Sequence, residues 1–436
     1  MKKKSKTYID QVTLTDFRCF SGRHSARLAP LTVLVGENST GKTSFLALIS
    51  ALWGLVHNGD VPDFKEAPYD LGSFPEIAHH KGGSAKKAQQ FEADLRICDS
   101  RASAASFSFT FEKKGAVPYP TVRRFSNKTG LLSVSELNGK LQLSAETDKG
   151  HAWDTTIHVE FPQANTPHLL PLGLVWFLCN KNRDQDEEPP KVVKRLIADL
   201  GRFERHPGSR LFASAPVRSK PHRTYDPARH SQDPEGDYVP MYMAYLAHQH
   251  PRQWAAFEEK MVGFGKTSGL FDEIRIKSLG KHEGQPFQIE VRKQGNTKHG
   301  PWRNLVDVGY GVSQILPLIT ELMRHDAPAL TLLQQPEVHL HPSAQAALGS
   351  IFGHLATDRQ IVVETHSDFL INRIRMDIRD QKVPLSPSDV SILYFERGEI
   401  EVHIHSIGID QQGNITGAPP GYGRFFMEEA ARSEQY

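Results

Sequence analysis

With 436 residues, 39% of them hydrophobic and 23% charged, the chain has ordinary globular composition and enough length for a large core. A formal net charge of +2 gives no bulk field for nucleic acid, and three cysteines without metal-like spacing exclude a disulfide framework. The longest apolar run, residues 169–179, is shorter than the roughly 20 residues of a membrane-spanning helix, and no apolar signal segment follows the basic start MKKKSK. A soluble cytoplasmic protein without a membrane partner is expected.

In chain order, residues 8–17 and 31–36 read as strands, the second apolar enough to be buried on both faces, and 42–55 as a helix. Alternation returns repeatedly between about 88 and 161, at 91–97, 105–111 and 157–161, which predicts antiparallel strands. Acids cluster at 184–188, and Pro189-Pro190 breaks the chain. A basic stretch with helical pattern follows: residues 191–229 hold ten lysines and arginines against Asp199, Glu204 and Asp226. It suits either a phosphate backbone or a solvated helix face. The helical pattern runs to about 262, and strand signals return at 271–278 and 286–293. From 307 onward helix and strand alternate (313–324, 329–333, 343–356, 361–365, 368–378, 390–396, 401–405), the rhythm of a parallel α/β sheet.

Four motifs punctuate this pattern. Gly36-Glu37-Asn38-Ser39-Thr40-Gly41-Lys42-Thr43 fits G-x-x-x-x-G-K-[ST], with an apolar strand before it and a helix, opening Lys42-Thr43-Ser44, after it. The glycines let backbone N–H groups turn toward phosphates, and the helix N-terminus adds partial positive charge. Lys42 is expected on the β- and γ-phosphates of ATP and the Thr43 hydroxyl on Mg²⁺. The second motif, Asp307-Val308-Gly309-Tyr310-Gly311-Val312-Ser313-Gln314, puts Gly309, Gly311, Ser313 and Gln314 at the start of a helix expected over 313–324, a second anion-binding nest. In the third, Gln334-Gln335-Pro336-Glu337-Val338-His339-Leu340-His341-Pro342, an apolar strand ends in polar residues. Glutamine can hold water but cannot take up a proton as a carboxylate does. Glu337 is the nearby acid; strand alternation would put it on the face of Gln335, which Pro336 opposes. The fourth, Ile361–Asp368, delivers His366 to a strand-end turn.

In order and spacing, GENSTGKTS, DVGYGVSQILP, QQPEVHLHP and ETHSDFLINRIR resemble the motifs of ABC-like AAA ATPases related to the OLD family, prokaryotic proteins often found in anti-phage and mobile-element defence operons. Residues 215–221, with Pro216 and Arg218, and the segments 407–413 and 421–429 resemble elements of a subgroup that lacks a nuclease. The resemblance implies an α/β fold: an ABC-type P-loop ATPase head of two lobes, with an antiparallel β arm and a helical insertion. Residues 1–180 would form the N-terminal lobe and arm, 181–285 the basic helical insertion, and 286–436 the C-terminal lobe. It implies ATP and Mg²⁺ as cofactors and a homodimer or higher oligomer, in which each head offers its 309–314 signature to the ATP of the other. Gln334 would stand where the family places a Mg²⁺-binding acid, Gln335 where it places a catalytic glutamate, and His366 where it places a γ-phosphate-sensing histidine. Arg18 would lie near the adenine, as in similar SMC-like heads. His339 and His341 accompany the third motif, which weighs against a zinc site. With glutamine at both acid positions, hydrolysis is expected to be slow, with Gln335, Glu337 and His366 around the attacking water. About 70 residues follow His366, too few for the Toprim nuclease domain of OLD proteins, so DNA cleavage by this chain is not expected. A separate effector nuclease or toxin would read the ATP state. The rival reading is a DNA-repair head similar to RecF that binds DNA in an ATP-dependent way.

Overall fold

The computed structural model describes residues 7–57, 62, 64–80, 87–99, 104–137, 140–148, 150–158, 189–204, 210–227, 233–280, 284–294, 300–399 and 401–423. The apolar run at 169–179, the acidic run at 184–188, and residues 424–429 of the tail segment lie outside them.

The chain opens with β1 (Thr7–Phe17), β2 (Phe20–Arg27) and β3 (Leu31–Gly36), then α1 (Lys42–His57) and the short α2 (Phe74–Ile77). Six strands follow: β4 (Gln90–Asp99), β5 (Ala105–Lys114), β6 (Val117–Asn127), β7 (Gly130–Leu137), β8 (Lys140–Thr147) and β9 (Gly150–His158). Next come α3 (Lys191–Glu204), β10 (Leu211–Ser214), α4 (Val239–Gln249), α5 (Pro251–Ser268), β11 (Glu273–Ser278), β12 (Phe287–Arg292) and β13 (Arg303–Asn304). The rest is α6 (Tyr310–Met323), β14 (Leu330–Gln334), α7 (Pro342–Leu355), β15 (Gln360–Glu364), α8 (Asp368–Arg379), β16 (Val390–Arg397), β17 (Val402–Ile409) and β18 (Ile415–Thr416).

These strands form three sheets. One is antiparallel in the order β2-β1-β4-β5-β6-β7-β8-β9, the arm that the alternating pattern predicts. The second runs β10-β14-β15-β3-β16-β17-β18, parallel from β10 to β16 and antiparallel at its far edge. The third is a small antiparallel sheet of β11, β12 and β13. The fold is therefore α/β, with an antiparallel sheet beside a parallel one.

The parallel sheet is apolar on both faces because each face meets a separate core. Leu34 of β3, Leu332 of β14, Val362 of β15 and Leu393 of β16 join α1, α3 and the antiparallel sheet. Their strand neighbours Val33, Val35, Leu333, Val363 and Ile392 join α4 to α8. The period of two thus divides each strand between two cores, the continuous apolar run of a doubly covered strand. Gln360 ties the two large sheets together: its Nε2 donates to the carbonyls of Ile9 (2.6 Å) and Ala29 (3.1 Å), and its Oε1 accepts from the Ile9 N–H (2.8 Å).

The stretch read as a helical insertion holds α3, α4 and α5, but it also contributes β10, an edge strand of the parallel sheet in register with β14. Four residues between arginines carry too short a pattern to read as a strand. None of the described helices is long and apolar enough to cross a membrane.

Candidate nucleotide site

The loop after β3 is shaped by two glycines for which no other residue has room. Gly36 has φ +144°, and a Cβ there would sit 2.4 Å from the Phe395 carbonyl oxygen of β16. Gly41 has φ +85°, and its Cβ would meet the Cys19 sulfur at 2.5 Å and the Phe20 ring at 2.8 Å. The β1–β2 turn therefore packs directly on the loop. Ser39 also takes a left-handed φ, +60°, while Arg397 donates to its carbonyl at 3.1 Å. The Thr40 hydroxyl closes the curl on the Glu37 carbonyl at 2.8 Å. Asn38 is exposed at the tip, and Ser44 is buried one turn into α1.

Lys42 is 3% exposed and bends back over this loop, donating to the carbonyls of Gly36 (2.9 Å) and Glu37 (2.6 Å). Burial lowers its pKa, against the raising pull of Glu364 and Glu37. Its ammonium rests on two backbone carbonyls of the loop, with the Glu364 and Glu37 carboxylates nearby. Thr43 donates its hydroxyl to Glu364 Oε2 at 2.9 Å.

Glu364 ends β15 and is the register partner of Gln334, which ends β14. Both are 5% exposed, and the buried Tyr69 hydroxyl lies against Gln334. Burial raises the Glu364 pKa, while Lys42 and the Thr43 hydroxyl pull it down.

After Gln334 the strand stops, as Pro336 foretells. Gln335 turns at φ +41° and donates its N–H to the Glu364 carbonyl at 2.8 Å. Two further turn bonds, Val338 N–H to Gln335 O and Leu340 N–H to Glu337 O, curl the segment up. Glu337 is carried inward rather than along the strand: it is 8% exposed, and its Oε1 accepts the His366 backbone N–H at 2.7 Å. Burial raises its pKa, opposed by its hydrogen bonds and by Arg218. His366 is half-buried; burial and then the Lys42 charge lower its pKa, which keeps the ring neutral at pH 7.

Arg218 is 3% exposed, and burial brings its pKa down to about 10 against the pull of Glu337. Its Nη1 donates to the Gln314 carbonyl and its backbone N–H to Gln314 Oε1, both at 3.2 Å. Gln314 Nε2 returns bonds to the carbonyls of Arg218 and Ser219 at 3.3 Å. Signature, Pro-x-Arg element, third motif and fourth motif thus share one buried polar cluster.

The signature helix begins at Tyr310, with Gly309 as its N-cap, three residues before the expected start at Ser313. That shift turns Ser313 and Gln314 inward. Ser313 is 4% exposed with its hydroxyl on the Tyr310 carbonyl, and Gln314 is 1% exposed. Gly309 and Tyr310 are left at the surface, where the Tyr310 ring meets the exposed His339 edge-on at 5.0 Å. Gly311 packs against the His339 carbonyl, 2.8 Å from where its Cβ would be.

Arg18, also left-handed (φ +49°), sends its guanidinium to the Leu71 carbonyl at 3.0 Å and receives the His79 ring on its own carbonyl. It adjoins the loop through its neighbour Cys19. His341 caps α7 by accepting from Ser343. Among the described residues no cluster of three His, Cys, Asp or Glu is arranged to hold a metal ion.

Reading the residues in order misses Glu364 and Arg397, which reach the loop from a distant part of the chain, and Tyr69, which lies against Gln334. The signal for Glu364 was an acid at the end of an apolar strand, one residue before the Thr-His-Ser turn.

The stretch 194–372, which holds the second, third and fourth motifs, matches a family model described as "AAA domain, putative AbiEii toxin, Type IV TA system". The loop at 36–43 lies outside the match. No curated protein matches the chain. Among solved structures it is similar to an SmcHead bound to the C-winged helix domain of ScpA, at 10% identity over 93% of this chain and 98% of that one, TM-score 0.45. It is also similar to the SMC head domain from Thermotoga maritima (11%, 91% and 97%, 0.38). A third is an Smc head domain with an extended coiled coil bound to the C-terminal domain of ScpA, derived from Pyrococcus furiosus (9%, 98% and 100%, 0.46).

Proposed function

We propose that the chain binds Mg²⁺–ATP in the 36–43 loop and acts as a slowly hydrolysing ABC-type switch, two heads closing on nucleotide, in prokaryotic defence with a separate effector. The carrying observation is Lys42, a buried ammonium inside a glycine-built backbone ring at the N-terminus of α1. Phosphate oxygens satisfy the loop N–H groups and draw Lys42 off its two carbonyls. Mg²⁺, when bound, neutralises phosphate charge beside the Thr43 hydroxyl. Gln335 orients water without accepting its proton, and Glu337 has one oxygen engaged with the His366 N–H. The neutral His366 ring suits a hydrogen bond to the γ-phosphate. The AAA-domain match over 194–372 supports a nucleotide-linked role, and the motif resemblance supports the defence setting.

Calorimetry with Lys42→Ala tests the reading. A hydrogen bond to a charged group is worth about 1.5–3 kcal/mol, so ATP affinity is expected to fall roughly 10–100-fold with an unchanged circular dichroism spectrum. Equal affinity in parent and variant refutes the site.

A further inference from the structure

The third motif offers amides where a nucleotide-bound cation wants an acid. The fold brings an acid to the same place from the neighbouring strand. Gln334 and Glu364 are register partners at the carboxyl ends of parallel β14 and β15. Partners in that arrangement leave the sheet on the same face, with backbones about 4.8 Å apart. Of the two, Glu364 is the one bonded to Thr43, 2.9 Å from its hydroxyl. Thr43 is the loop hydroxyl that a P-loop turns toward Mg²⁺.

Glu364 is also poorly provided for without a cation. It is 5% exposed, and a buried carboxylate is costly unless paired. Its nearest ammonium, Lys42, gives its hydrogen bonds to the carbonyls of Gly36 and Glu37 instead. Its other named donor is the neutral Thr43 hydroxyl. Phosphates drawing Lys42 toward themselves would leave the carboxylate needing a new positive partner. A divalent ion held between Thr43 and the phosphates is that partner, and its oxygen preference matches the set.

We propose that Glu364 ligates the Mg²⁺ of bound ATP together with Thr43, taking from the adjacent strand the place of the acid that Gln334 lacks. The inference rests on ATP binding in the 36–43 loop. Gln334 then lines the site as a neutral neighbour beside the buried Tyr69 hydroxyl, and keeps the strand ends from carrying two carboxylates in contact.

The test reads metal-dependent binding, not turnover. ATP affinity is measured by calorimetry in EDTA and in Mg²⁺ for the parent, Glu364→Gln, Gln334→Ala and the swap Gln334→Glu/Glu364→Gln, each checked by circular dichroism. Losing even an outer partner of a metal ligand costs about 10–100-fold in metal affinity, so a direct ligand predicts at least a roughly tenfold effect. The parent is expected to gain affinity with Mg²⁺. Glu364→Gln is expected to bind ATP in EDTA but to lose the gain, and the swap to recover it. Gln334→Ala is expected to keep the gain. A folded Glu364→Gln that retains the gain overturns the assignment, as does a swap that binds in EDTA without recovering it. Loss of the gain in Gln334→Ala overturns it too, whether or not Glu364→Gln folds. A parent that binds ATP equally in EDTA and Mg²⁺ refutes the metal assignment and leaves the nucleotide site standing; a parent that binds in neither refutes both.

Discussion

Gln335 and Glu337 are two residues apart, yet the turn between them sends them to different work. Gln335 stays half-buried at the strand end, with its backbone pinned to Glu364. Glu337 goes into the interior and holds the His366 N–H. A glutamine at 337 can still accept that bond through its amide oxygen, so Glu337→Gln should leave hydrolysis unchanged while lowering stability, because the buried Arg218 loses its opposing charge. Gln335→Glu restores a proton acceptor beside the water and should raise the single-turnover rate by about 10²-fold or more, the lower end of general-base help. Rapid quench with excess protein over ATP measures both. If the parent is already fast and Glu337→Gln abolishes turnover, Glu337 is the base and the slow-switch reading is wrong. At this scale the sequence was informative where a role follows from residue type. The tight turn at the loop glycines and the place of Lys42 at the head of α1 could be read off, because few residues suit that conformation. Glu364 could not, because its pairing with Thr43 depends on the β14–β15 and β15–β3 registers, which bring together residues far apart in the chain.

The 36–43 loop is held as an element by what packs on it. The β1–β2 turn presses Cys19 and Phe20 against Gly41, and β16 presses Phe395 against Gly36. Gly41→Ala therefore meets two obstacles: a left-handed φ of +85° and a Cβ 2.5 Å from the Cys19 sulfur. The φ penalty alone is about 1–2 kcal/mol, and overpacking adds about 1–3 kcal/mol. Urea denaturation should show a lower midpoint with an unchanged slope, and calorimetry a loss of ATP affinity as the loop shifts. Cys19→Ala/Gly41→Ala should recover part of the stability by clearing the sulfur; no recovery would mean that backbone strain and the Phe20 ring, not the sulfur, dominate. Element boundaries were the weakest part of the reading from residues. The antiparallel sheet was legible as a region because alternation recurs from about 88 on, but β2 was not read, and the strand read at 157–161 meets β9 only at its end, residues 159–161 lying outside those described. The signature helix was misplaced because Ser313 looks like a cap in sequence, while Gly309 is the cap in the fold. The edge strand β10 was missed because four residues carry almost no period.

At the scale of the whole molecule, the proposed closure on a second head would act at the surface end of the signature. The surface end of the signature is Gly309 and Tyr310, the latter 43% exposed and supported by His339. Ser313 and Gln314 face inward, so their side chains serve the Arg218 cluster rather than a neighbour. What α6 offers outward is its N-terminus, whose helix dipole favours an anion, in the proposed dimer the γ-phosphate of the other head's ATP. Assembly is therefore tested at Gly309 and not at the buried Ser313. Ser313→Arg would force a long cation into a buried position and test folding instead. Gly309 has φ −57°, within reach of any residue, and its Cβ would meet nothing within 4 Å. Gly309→Arg therefore adds bulk and charge at the tip without disturbing the core. The parent should shift from monomer to dimer in sedimentation velocity on addition of ATP and Mg²⁺. Gly309→Arg should bind ATP with parental affinity by calorimetry yet remain monomeric under the same conditions. A variant that assembles as the parent does would show that the signature tip is not the contact. The buried Gln314–Arg218–Glu337–His366 cluster would then link the motifs within one head only, and the two-headed switch would have to be abandoned.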